Sequence, residues 1–398
     1  MKQILLFLLL GTALTTLEAQ ERKKPLDHSV YDSWQSIASE AISNDGKWVL
    51  YAVNPQEGDA SLVIMNRETG KELKVGRGSS PAFTEDSRFA VFLIKPYFKD
   101  VRAAKIKKTK AADMPKDSLA ILNMGNLSLK KIPMVKSFKL PDEGAGSLAY
   151  LRYSAADSSK SRMKKNKKDE DRAEGDPPGD DNAEKEGEEL VIVNLVNGTQ
   201  KSVKYVTEYL FSKDGKSLAL ASAPSKKDTL YTPGIYLYNT TTYSLKKISS
   251  GMGPYKNLSF DRSGSKLAFT AEREILKDSY KYYKLCYYTP GLDSALIIAD
   301  EKSKGVPPGW GISNNGTISF SRDGKKLFFG TAPLAALKDT SIVDFEVAKV
   351  DIWNYKDDYL QPMQLKNLDK ELKERTWQWS ILNHQVKSYN LPTRKFRR

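Results

Sequence analysis

The chain has 398 residues, of which 40% are hydrophobic and 28% charged, and it carries a formal charge of +14. That is apolar material for one large domain and excludes disorder of the whole chain. A single cysteine, Cys286, excludes an internal disulfide framework, and the basic residues are spread along the chain, which argues for a solvated basic surface and against a nucleic-acid partner.

Met1 to Gln20 begins with Lys2, continues through an apolar run from Ile4 to Leu10, and reaches a small residue at Ala19. This reads as a signal peptide over residues 1–19, because the apolar stretch falls short of the roughly 20 residues that a spanning helix needs. No later segment is apolar and long enough to span a bilayer once the signal is cleaved. A periplasmic or secreted location is therefore expected, and the lone cysteine fits the periplasm.

Five later segments share one design: Ile42-Ser-Asn-Asp-Gly-Lys-Trp-Val-Leu-Tyr51, Phe83-Thr-Glu-Asp-Ser-Arg-Phe-Ala-Val-Phe92, Phe211-Ser-Lys-Asp-Gly-Lys-Ser-Leu-Ala-Leu220, Phe260-Asp-Arg-Ser-Gly-Ser-Lys-Leu-Ala-Phe269 and Phe320-Ser-Arg-Asp-Gly-Lys-Lys-Leu-Phe-Phe329. Each predicts a hairpin. An apolar residue closes one strand, Asp-Gly or Ser-Gly supplies the positive φ of a tight turn, and an apolar or alternating run opens the next strand. The Ser, Thr or Asp after the first apolar residue is suited to hydrogen-bond the turn backbone.

A second strand pair follows each hairpin, as in Leu62–Met65 with Glu72–Val75 and in Leu190–Val193 with Gln200–Val203. Four strands per repeat predict an all-β fold, a β-propeller of four-stranded blades. Six blades can be counted, near 38–76, 81–133, 134–205, 206–249, 254–300 and 310–366, the last completed by Val350–Trp353 and Met363–Leu365. The third blade is degenerate, with Ser137–Leu140 and Ser147–Leu151 flanking a turn replaced by Pro141 to Gly146. A β-sandwich would also give short strands, but recurrence of the whole unit favours blades that bury their faces against near-identical neighbours. The propeller is expected over residues 24–368, followed by an irregular tail at 369–398. The ring is expected to be incomplete, with exposed blade faces that invite self-association.

Residues 155–189 carry Lys164-Lys165-Asn166-Lys167-Lys168 and then acidic runs, with almost no apolar residue. They are expected to form a disordered surface insertion in the third blade, which the fold tolerates because lengthening a loop from a few residues to about 35 costs only on the order of 2 kcal/mol in closure entropy. Pro96 to Lys116 reads as a second long basic loop.

No chemistry emerges from the motifs. There is no G-x-S-x-G elbow, and His28 and His384 are the only histidines, both outside the repeats. Catalytic residues are therefore assigned to no position, and binding residues remain unknown. Asp45, Asp86, Asp214 and Asp323 fall on separate blades, where turn formation explains them better than a calcium site, so no metal and no cofactor is expected.

Lys24-Pro-Leu-Asp-His-Ser-Val-Tyr-Asp-Ser-Trp34, Val135-Lys-Ser-Phe-Lys-Leu-Pro141, Val206-Thr-Glu-Tyr-Leu-Phe-Ser-Lys-Asp-Gly215, Pro308-Gly-Trp310 into Phe328-Phe-Gly-Thr-Ala-Pro333, and Val350-Asp-Ile-Trp-Asn-Tyr355 appear in this order. Over about residues 24 to 368 the chain resembles the N-terminal propeller of exported prolyl-oligopeptidase-family serine peptidases of the Bacteroidetes type. The resemblance implies a propeller that gates the admission of peptide substrates to an α/β-hydrolase domain, whose nucleophile, acid and base lie outside these residues. It lends no catalytic residue to any position here. The other reading left standing is a stand-alone periplasmic propeller that binds a protein or glycan.

Overall fold

The computed structural model describes residues 28–153, 186–225, 228, 230–251, 253–272, 282–334, 354–357, 359–367, 377–382 and 385–388. The expected signal peptide, most of the charged insertion, Val350–Trp353 and His384 lie outside the described residues.

The described residues form six successive antiparallel units of a β-propeller. Blade 1 is β1 (Gln35–Ile42), β2 (Trp48–Pro55), β3 (Ser61–Asn66) and β4 (Glu72–Gly76), and blade 2 is β5 (Gly78–Phe83), β6 (Phe89–Ile94), β7 (Ser118–Asn123) and β8 (Leu129–Pro133). Blade 3 comprises β9 (Val135–Lys139), β10 (Ser147–Arg152), β11 (Glu188–Asn194) and the first part of β12 (Gln200–Phe211). The second part of β12 begins blade 4, followed by β13 (Ser217–Ser222), β14 (Gly234–Asn239) and β15 (Leu245–Ser250). Blade 5 is β16 (Tyr255–Phe260), β17 (Leu267–Glu272), β18 (Tyr283–Tyr288) and β19 (Leu296–Ala299). In blade 6 the first strand is split into β20 (Trp310–Ile312) and β21 (Ser319–Phe320), which both pair with β22 (Leu327–Pro333), and β23 (Trp377–Leu382) and β24 (Gln385–Ser388) complete the sheet.

Period-two alternation explains how the blades stack. In β6, Phe89, Val91 and Leu93 pack toward blade 3, while Ala90, Phe92 and Ile94 pack toward blade 1. In β13, Leu218 and Leu220 face blade 3, and Ala219 and Ala221 face blade 5. A second strand buried on both faces loses its polar alternation, which is why these segments read as continuous apolar runs. The core is thus a series of inter-blade layers, with large side chains on one wall meeting small ones on the next, as Phe269 does with Ala219 and Ala221. On the face of blade 1 turned away from blade 2, Ile37 and Ile42 are 68% and 60% exposed.

The hairpin chemistry is as the motif requires. Ser43, Thr84, Ser212 and Ser321 donate through Oγ to Asp45, Asp86, Asp214 and Asp323 at 2.6–2.7 Å, and each hydroxyl also accepts the amide that reopens the second strand. Gly46, Gly215, Gly264 and Gly324 hold φ between 64° and 71°, and in blade 2 Ser87 takes the same conformation at 57°.

Several expectations need correction. Met363–Leu365 is not a strand but part of helix α2 (Gln361–Lys366). Pro362 lies in its first turn, where a missing N–H costs nothing, whereas a ladder would need that donor. The tail from 369 is not irregular throughout, since β23 pairs with β22 from Leu327↔Ile381 to Thr331↔Trp377, so the propeller extends past residue 368. Glu188 and Glu189, assigned to the insertion, open β11. The basic loop of blade 2 contains helix α1 (Phe98–Ile106), whose N-terminal amide at Phe98 is capped by Asp59 Oδ1 of blade 1 at 2.7 Å.

Phe269→Ala should destabilise the protein by about 3–5 kcal/mol in urea denaturation, because it empties a fully buried site, while Ile37→Ala on the exposed face should shift it by less than about 0.5 kcal/mol. The turn aspartates set an acid limit. Asp45 and Asp323 are held below the usual carboxylate value of 3.8 by their serine hydroxyls and then by backbone amides. At Asp214 partial loss of water pushes upward, and the bonds from Ser212 and the Lys216 amide outweigh it. A carboxylate depressed in the folded state adds stability above its unfolded pKa and loses it as pH falls through the folded one. Thermal midpoints should therefore drop below about pH 4, and the triple variant Asp45→Asn, Asp214→Asn, Asp323→Asn should flatten that drop.

Candidate functional site

The first strand of each blade is the innermost. It touches the first strand of the next blade, as β1 touches β5, β12 touches β16, and β16 touches β21. The hairpin turns that follow these strands gather at one end of the central axis. Around it, 139–142 of blade 3, 210–213 of blade 4, 259–262 of blade 5 and 320–322 of blade 6 line a cavity of about 710 Å³. In blades 4 to 6 the motif itself builds the site, since each of them delivers corresponding hairpin residues to the same place.

Neighbouring turns are clamped together. Lys213 Nζ lies 2.5 Å from Glu143 Oε1, and the Glu143 amide donates to the Lys213 carbonyl at 2.7 Å. Close approach makes Gly144 obligatory, because a Cβ there would stand 2.5 Å from the Asp214 carbonyl oxygen. Lys266 Nζ donates to the Gly324 carbonyl at 2.8 Å, joining blades 5 and 6, and Asn44 Nδ2 donates to Glu85 at 2.7 Å, joining blades 1 and 2.

The second residue after the apolar anchor of each hairpin is Asn44, Glu85, Asp142, Lys213, Arg262 and Arg322 in blades 1 to 6. The turn end is therefore polarised, with neutral or acidic groups on blades 1 to 3 and cations on blades 4 to 6. The Lys213 hydrogen bond holds the Glu143 carboxyl below its ordinary value, and Arg262 acts in the same direction from farther away. Lys139 belongs to the wall rather than the opening. Its ammonium donates to the Tyr209 carbonyl at 2.7 Å and stands 5.0 Å from the Tyr209 ring, and lost hydration lowers its pKa against the pull of Glu208. Burial pushes the Tyr209 phenol up to about 12, and Ser137 shares a 2.9 Å hydrogen bond with it.

Along the inner strands, Glu208 of blade 4 accepts the amides of Asn257 and Leu258 of blade 5 at 3.1 and 2.9 Å. Asn257 sits at φ 59° in a bulge of β16, and its side chain donates to the Asn314 carbonyl of blade 6 at 3.0 Å. One carboxylate thus fixes a strained bulge and ties blades 4 and 5, and the Asn257 amide extends the tie to blade 6.

Of the residues singled out in the sequence, Asp45, Asp86, Asp214 and Asp323 stay in their own turns, and among the described residues no group of three or more His, Cys, Asp or Glu side chains is placed to hold a metal. His28 is exposed in a short 3₁₀ turn, edge-on to Tyr31 at 5.2 Å. Cys286 is a buried thiol outside any disulfide, packed between blades 4 and 5. Among the described residues no helix is long and apolar enough to cross a membrane. The cavity lining includes Ser212, Ser259 and Ser321, and among the described residues no histidine lines it. The arrangement can bind and orient a ligand. Lys213, Arg262, Arg322 and Glu208 were not singled out in the sequence, although aligning the hairpins exposes the first three.

No protein-family model and no curated protein matches the chain. Among solved structures, the β-propeller domain of the trilobed protease from Pyrococcus furiosus matches at 12% identity and a TM-score of 0.38, covering 76% of this chain and 79% of that one. An acylaminoacyl peptidase from Pyrococcus horikoshii matches at 12% identity and 0.37, covering 78% of this chain and 45% of that one, so the chain spans less than half of that peptidase. An oligogalacturonate lyase from Vibrio parahaemolyticus matches at 14% identity and 0.38, covering 73% of each chain. At these identities no residue role carries over.

Glu208→Ala should cost about 2 kcal/mol, because it leaves two amides of the β16 bulge without their charged acceptor. Glu208→Gln should recover part of the loss in the same chemical-denaturation measurement.

Proposed function

We propose that this chain is the propeller part of an exported prolyl-oligopeptidase-family serine peptidase and that it governs the admission of peptides to an α/β-hydrolase domain. The observation that carries the proposal is the axial cavity at the turn end of the innermost strands. Its volume of about 710 Å³ lies in the range of pockets that enclose small ligands, so it suits a short stretch of unfolded chain and not a folded domain. The order of matching segments from Lys24 to Tyr355 supports the same reading. The chain contributes selection by size and charge, and bond cleavage falls to the partner domain. The leader-like start at Met1 to Gln20 supports export to the periplasm or beyond.

The purified chain should bind a short, fluorescently labelled proline-containing peptide saturably and a folded protein not at all, as read by anisotropy. It should leave a fluorogenic dipeptide intact. Turnover of that dipeptide that co-purifies with the chain through successive columns would overturn the proposal.

A further inference from the structure

Resting on that peptide-admission reading, we infer that the axial opening selects acidic peptides, whose carboxylates are taken up by Arg262 and Arg322 together with Lys213 on the side of blades 4 to 6. Four cations, Lys139, Lys213, Arg262 and Arg322, line the cavity against two carboxylates, Asp142 and Asp261. These groups are not equally available. Lys139 is committed to the Tyr209 carbonyl. Asp261 is buried and spent on its own turn, where it accepts the Ser263 hydroxyl at 2.5 Å and the Lys266 amide at 2.8 Å. Lys213 is paired with Glu143, whose side chain is 54% exposed, so a ligand carboxylate competes for that ammonium from solvent. Arg262 and Arg322 are exposed and make no hydrogen bond or ion pair with any described residue.

Two guanidinium groups without a fixed partner, at matching positions of adjacent blades and beside a cavity, form a receptor for carboxylates. Each offers paired donors to a carboxylate's two oxygens. Asp142 of blade 3, exposed in the same lining, repels the same ligand and so biases it toward blades 4 to 6. A basic patch on a convex surface would attract any polyanion. This arc lies along the lining of a cavity of about 710 Å³ to which the proposed function brings peptides, which is why an acidic peptide is the ligand it fits.

The test is fluorescence anisotropy on the full chain with a labelled oligoglutamate peptide and its glutamine counterpart, with tri-galacturonate as an unlabelled competitor. The glutamate peptide should bind about ten-fold tighter at low salt, and the advantage should vanish at about 1 M salt. Arg262→Gln and Arg322→Gln should each weaken the glutamate peptide about five-fold while leaving the glutamine peptide unchanged. Lys107→Gln, beyond the cavity, should change neither, and circular dichroism melts should show all variants folded. Arg322→Lys should retain part of the preference through its charge. Equal affinity for the two peptides, or a preference that survives loss of both arginines, would overturn the charge selection while leaving peptide admission standing. Displacement of the bound glutamate peptide by tri-galacturonate at equal or lower concentration would overturn the peptide as the favoured ligand, and no saturable binding of either peptide would overturn both readings.

Discussion

A four-stranded antiparallel sheet with apolar side chains on both faces cannot exist alone in water, and everything in this molecule follows from that constraint. Odd and even residues of each second strand are committed to different neighbours, as Phe92 is to blade 1 and Val91 to blade 3. Each blade therefore positions the next, and the innermost strands are drawn around a common axis without any residue being dedicated to that task. The cavity at the axis is a by-product of wedge-shaped stacking. Its chemistry is then free to vary, because the residues that line its rim are turn residues and not core residues.

Division of labour within the hairpin makes this freedom possible. The hydroxyl of Ser212 and the carboxylate of Asp214 hold the turn, the glycine at 215 supplies its conformation, and Phe211 anchors it in the core. The residue between Ser212 and Asp214 takes no part in holding its own turn, and it is there that Lys213 and its counterparts Arg262 and Arg322 appear. In blades 1 and 2 the same position carries Asn44 and Glu85, which, like Lys213 with Glu143, hold one turn against the next. A repeating scaffold thus presents one variable side chain per blade to a shared opening.

Much of this was legible because its signals are local. The Asp-Gly, Asp-Ser and Ser-Gly turns between apolar or alternating runs located five hairpins, and the recurrence of a second strand pair gave the boundaries of blades 1 to 5 to within a few residues, including the degenerate third blade. What was not legible depends on contacts across blades. Helix α1 is capped by Asp59, 39 residues earlier and on another blade, so the usual side-chain signal is missing at its own start. The strands β23 and β24 follow a long connection and lack the turn motif, which left Trp377–Leu382 looking irregular although its alternation suits a strand. Glu208 reads as an ordinary strand glutamate until the neighbouring bulge at Asn257 is placed beside it. The charged rim was hidden for a different reason: its members are adjacent in no window of sequence and converge only once the axis is known.

The strand β12 carries one further implication. It runs twelve residues from the edge of blade 3 into the centre of blade 4 and turns through a left-handed conformation at Tyr205 without leaving the ladder. Blades 3 and 4 therefore share an unbroken backbone rib, as well as the apolar layer and the Lys213 clamp between them. Breathing of the ring along that seam would have to tear the hydrogen bonds of a shared strand, whereas blades 1 and 2, 2 and 3, and 4 and 5 belong to separate sheets. The pair behaves as a stiff sector, and any widening of the axis concentrates at those joints.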